Sequence, residues 1–82
     1  MTFRLRRVAA GQRVTFAFSG ALTTEELAEV TVTTEREQSS RIAFDLADLT
    51  MVSREGVAYL RRAEAAGIEL VNSPRYIRSV RQ

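Results

Sequence analysis

Two carboxylates three residues apart, Asp45 and Asp48, and the run Ser53-Arg54-Glu55-Gly56 are the groups in this 82-residue chain that could do chemistry. A carboxylate pair could serve acid–base work or hold Mg²⁺, but no phosphate loop or third ligand accompanies these two. Asp48 is read more simply as a turn former in a loop. The usual catalytic alternatives are missing. All twelve positive charges are arginine, and lysine, histidine and cysteine do not occur. Schiff bases, imidazole bases, thiol nucleophiles and His/Cys metal centres are therefore excluded. The expectation is a protein that is not an enzyme, with no metal and no cofactor.

The second group raises a charge problem. "DLADLTMVSREGVAYLRR", Asp45 to Arg62, reads as the end of a buried strand, a short loop and an amphipathic helix that opens at Ser53. Free N–H groups and the helix dipole favour negative charge at such a start. Arg54 puts a permanent positive charge there, unfavourable by roughly 0.3–1 kcal/mol when exposed, with Glu55 offsetting part of it.

The elements that position these residues follow from periodicity. Phe3 and Leu5 alternate with Arg4 and Arg6; after "AAGQ", Val14, Phe16 and Phe18 alternate with Thr15, Ala17 and Ser19, and Gly20 ends the second strand of a hairpin. Thr23 followed by Glu26 is a capping box, and Leu27, Val30, Thr31 and Thr34 then share one helical face. The β-branched cluster Val30 to Thr34 weakens that helix, and an extra strand is the competing assignment. Ile42 to Leu46 is the apolar run of a strand covered on both faces. A helix over 53–66 turns Val57, Leu60 and Ala63 inward and stops at Gly67. Ile68 to Val71 is a strand. Ser73-Pro74 opens a terminal helix through Tyr76, Ile77 and Val80. The order β-β-α-β-α-β-α implies an α/β domain over 1–82, with a mixed, mostly parallel four-stranded sheet and helices packed on it.

Composition sets the bounds. Apolar residues make up 45% and charged residues 27%, as in ordinary globular domains. At roughly 0.05–0.15 kcal/mol per residue, such a domain holds about 4–12 kcal/mol of net stability. No disulfide, signal peptide or membrane span is expected, so the expectation is a cytoplasmic protein without membrane insertion. A net charge of +2 with interspersed acids does not make a nucleic-acid surface, despite arginines at 4, 6, 7 and 13 that could share the hairpin's exposed face.

The line "FAFSGALTTEEL … RIAFDLADLTMVSREGVAYLRRAEAAGIELVNSP" resembles a STAS domain, the fold of bacterial anti-sigma factor antagonists. The resemblance runs from about Thr15 to Val80. It rests on the strand ending in Ser19-Gly20, the "DLADLT" strand and turn, Gly56 in the next helix, and "AAGIELVNSP". It implies a signalling or transcription-regulating module whose partner is an anti-sigma factor or a serine kinase-like protein. In that family the loop before the second helix reads Asp-Ser-Ser-Gly or Asp-Ser-Thr-Gly, and the first hydroxyl residue is phosphorylated. Here Ser53 falls at the aspartate, Arg54 at the phosphoacceptor and Glu55 at the second hydroxyl; only Gly56 matches. Phosphorylation at position 54 is therefore not expected to control binding.

Each site residue has a plainer reading. Ser53 is a helix N-cap, against a displaced phosphoacceptor. Arg54 is a solvated arginine, against a docking residue. Gly56 permits close approach of helix and strand, or of a partner. The docking surface implied runs through Met51, Val52, Ser53, Arg54, Glu55, Gly56 and Val57 and on along Ala58, Arg61 and Arg62. An apolar margin at Tyr76, Ile77 and Val80 would favour a homodimer. Two alternatives stand beside this reading: a small STAS subunit bracing a lipid or solute transport ATPase, and a basic nucleic-acid-binding domain.

Overall fold

The computed structural model describes residues 3–38 and 41–74. The expected hairpin forms from β1 (Phe3–Ala10) and β2 (Arg13–Leu22), paired antiparallel from Phe3↔Gly20 to Ala10↔Arg13. Gly11 turns the chain at φ 63°, a backbone angle that costs a residue with a Cβ. Val14, Phe16 and Phe18 are buried as their alternation requires. Gly20 does not end β2: it sits at φ 91° within the strand, and buried Ala21 and Leu22 extend it.

The largest departure from expectation is in β3 (Arg41–Val52), whose twelve residues absorb the segment expected as a loop. Its register with β2 slips twice. Ala17 pairs with Asp45 and Ser19 with Asp48; Gly20 pairs with Leu49 and Ala21 with Met51. Each slip gives β3 one extra residue, a β-bulge that rotates the following side chains. Buried Phe44, Leu46 and Leu49 are thus spaced by two and then by three. Asp48 is a strand residue here and not a turn former. Ala43 and Phe44, on opposite sides of β3, are both fully buried, as a strand covered on both faces requires.

Helix α1 (Thr24–Arg36) is continuous through Val30 to Thr34, so the extra strand is not formed there. Val30 is fully buried and Leu27, Thr31 and Thr34 are half-buried on its side. Burying Val30 gains about 1.5–3 kcal/mol, which together with the partial burial of Leu27, Thr31 and Thr34 offsets propensity losses of a few tenths for each of the five β-branched residues. At the other end Thr23 N–H donates to Glu26 Oε1 at 2.9 Å, and the Thr23 hydroxyl donates to the same oxygen, completing the capping box.

Helix α2 (Arg54–Ala65) turns Gly56, Leu60 and Ala63 inward, with Val57 half-buried, and Gly67 follows at φ 109°. The short strand β4 (Glu69–Val71) closes the sheet. The order is β1-β2-β3-β4, with β2–β3 and β3–β4 parallel. The α/β class and four-stranded sheet are as expected. The sheet is mixed, with two parallel pairs beside the long antiparallel pair β1–β2. Two helices are described; the expected terminal helix through Tyr76, Ile77 and Val80, with its apolar margin, lies outside the described residues. Val30, Leu60 and Ala63 join Phe16, Phe18, Phe44 and Leu46 in one core, so α1 and α2 pack on the same sheet face. At its centre Phe44 lies 4.9 Å from Phe18 and 6.3 Å from Phe16, ring centre to ring centre.

Candidate functional site

The start of α2 is built by the ends of two strands. Ser53 N–H donates to the Leu22 carbonyl at 2.9 Å, which places the helix start directly beyond the last residue of β2. The Ser53 hydroxyl accepts from Gly56 N–H at 3.1 Å, the expected N-cap bond. Thr50 adds a tie, its hydroxyl donating to the Gly20 carbonyl at 3.0 Å. Gly56 is buried where the helix crosses these strands, and a Cβ built on it would lie 2.7 Å from Val52 Cγ1. Close approach of helix and strand is thus the role of this glycine.

Arg54 is the first residue of α2 and is exposed. Its side chain makes no hydrogen bond or ion pair with any described residue. Glu55 does not pair with it; the Thr24 hydroxyl donates to Glu55 Oε1 at 3.2 Å, joining the starts of the two helices. Arg54, Val57, Ala58 and Arg61 line an open groove of about 390 Å³ along one side of α2. Their spacing of three, four and seven residues puts them on one helical stripe. Arg62 is exposed but outside the groove lining, and Met51 and Val52 belong to β3 and not to a loop. Met51 is 40% exposed beside the helix start; Val52 is half-buried under Gly56.

The two aspartates serve different neighbours. Asp45 Oδ1 accepts from Ala47 N–H and from Asn72 Nδ2, each at 3.1 Å, holding the residue after β4 at φ 58°. Asp48 lines a separate cleft of about 230 Å³ with Arg4, Arg6 and Ser19. Among the described residues no three carboxylates gather as metal ligands would. The basic hairpin face is also divided. Arg4, Arg6 and Arg13 lie on one side of the sheet, while Arg7 faces the other and binds Glu37 at 2.7 Å. Arg13 meets Glu69 at 3.1 Å.

Sequence reasoning did not find Thr24, Thr50 or Asn72, whose bonds to Glu55, Gly20 and Asp45 join elements distant in the chain. No described helix is long and apolar enough to cross a membrane. No family model matches this chain, and comparison with curated proteins finds no significant match.

Proposed function

We propose that this domain is a non-catalytic protein–protein interaction module of the STAS type. Its docking surface is the stripe Arg54, Val57, Ala58 and Arg61. The partner class is an anti-sigma factor or a serine kinase-like protein, acting in signalling or transcription control. The observation that carries this reading is the exposed, unpartnered guanidinium of Arg54 on the rim of an apolar groove, at a helix start where its charge is locally unfavourable. A locally costly residue without structural return points to function. The site lies at the position where the resembled family carries its phosphoacceptor. With arginine there the contact is constitutive, and Ser53, committed to its cap, is not the switch.

The test is affinity capture from a nuclease-treated extract of the native cell, with wild-type protein and Arg54→Glu in parallel. A retained anti-sigma or serine kinase-like protein, identified by mass spectrometry and lost with the variant, is the expected result. Retention of the same protein by both would move the docking surface elsewhere. Binding that disappears on nuclease treatment would favour a basic nucleic-acid surface, and a co-retained transport ATPase the bracing role.

A further inference from the structure

The free edge of the sheet is the most open part of the described chain. Among the described residues β1 pairs with β2 on one side only, and Arg6 to Ala10 are five successive exposed residues. An uncovered edge of this length offers a row of backbone donors and acceptors to any extended chain. Its side chains decide which chain can come. On the face away from the helices stand Arg4, Arg6 and Val8, opposite Ser19, Ala17 and Thr15 of β2. Val8 is 44% exposed. Arg4 and Arg6 make no side-chain hydrogen bond or ion pair with a described residue, Asp48 in the shared cleft included. On the helix face Leu5 is half-buried at the margin of the core, and Arg7 is held by Glu37.

A second copy of this strand is a poor occupant. Antiparallel self-pairing centred on any residue from Arg4 to Arg7 sets an arginine directly opposite an arginine, and the register centred on Val8 leaves Arg4 and Arg6 facing Gln12 and Ala10, without an opposite charge. Like charges in that position repel. Opposite charges there attract, and the edge amides supply the rest of the contact.

We propose that β1 is a docking edge for an extended acidic segment of a partner protein, which adds an antiparallel fifth strand with carboxylates at alternate positions. In that pairing the segment reads apolar, polar, acidic, apolar, acidic, apolar. Its acids face Arg6 and then Arg4. Its apolar residues lie beside Val8, Leu5 and Phe3, and its polar residue lies beside Arg7. This site is separate from the α2 groove and does not depend on the partner proposed there.

The test uses the whole chain and a fluorescein-labelled peptide with the core Val-Thr-Glu-Val-Glu-Val, followed by fluorescence polarisation at low salt. Binding is expected and should weaken as salt screens the pairs. Arg4→Glu/Arg6→Glu should weaken it at least about tenfold. That double variant should in turn bind the Val-Thr-Lys-Val-Lys-Val peptide, which also shows that it is folded. Methylating one alternate set of peptide amide nitrogens should abolish binding, while methylating the other set should not. The isomer Val-Thr-Val-Glu-Glu-Val, with one acid on the wrong face, should bind more weakly. No binding, or binding indifferent to N-methylation and to acid order, would overturn the proposal, the latter by reducing the site to a diffuse basic patch.

Discussion

A methyl group on Gly56 would stand 3.1 Å from the Leu22 carbonyl oxygen, the same oxygen that accepts the Ser53 N–H at 2.9 Å. The last residue of β2 thus fixes both where α2 begins and how closely it crosses the sheet. Gly56→Ala is expected to destabilise the domain. Overpacking costs about 1–3 kcal/mol, and better helix propensity returns only about 0.5–1 kcal/mol. At roughly 4–8 °C per kcal/mol for a domain of this size, the melting temperature should fall by several degrees. A rise would mean that Val52 rotates away and that the crossing has slack.

Ser53→Ala removes the acceptor for Gly56 N–H and should cost about 1 kcal/mol in chemical denaturation. Ser53→Asp keeps an acceptor and should stay close to wild type. Equal losses in both variants would show that the serine matters for something other than its cap.

Arg54→Glu separates stability from binding. Replacing a cation by an anion at the first position of α2 should raise stability by about 0.3–1 kcal/mol at low salt, read as a higher midpoint in urea. The same substitution should weaken partner binding by at least about tenfold. A variant that loses both stability and binding would return Arg54 to a structural role.

Acid should loosen the start of α1. Glu26 is held below its ordinary pKa of 4.5 by the hydrogen bond from the Thr23 hydroxyl and then by that from Thr23 N–H. A carboxylate favoured in the folded state contributes its full stability above the unfolded value. That contribution is lost as pH falls through the lower, folded value. Glu26→Gln does not titrate, so its melting temperature should decline less steeply than wild type below about pH 4.5. Parallel profiles would show that the capping box is not coupled to folding.

Much of this architecture is legible from residue pattern alone. Val14, Phe16 and Phe18 announce their strand by alternation, Thr23 and Glu26 their cap by spacing, and Gly67 its stop by type. The end of β3 is different. The first of its two bulges stretches the inward spacing from two residues to three, so Leu46 and Leu49 no longer read as one strand, and Asp48 passes for a turn. Val30 to Thr34 misleads in the opposite direction, because its β-branched residues suit a strand while the burial of Val30 selects the helix. At the candidate site, Ser53 as cap and Gly56 as contact point follow from local rules. The joining of Glu55 to Thr24 and the division of the hairpin arginines between two faces do not, since both depend on elements distant in the chain.

The strand order β1-β2-β3-β4 repeats the order of the chain. Every strand after β1 therefore pairs with one already synthesised. The hairpin needs nothing that follows it, β3 needs only the hairpin and α1 behind it, and α2 starts on a platform whose two strand ends are complete. Assembly can keep pace with translation, without waiting for a distant segment to close the sheet. The groove along α2 is then among the last surfaces to form, so a nascent chain cannot present it before the platform beneath it exists.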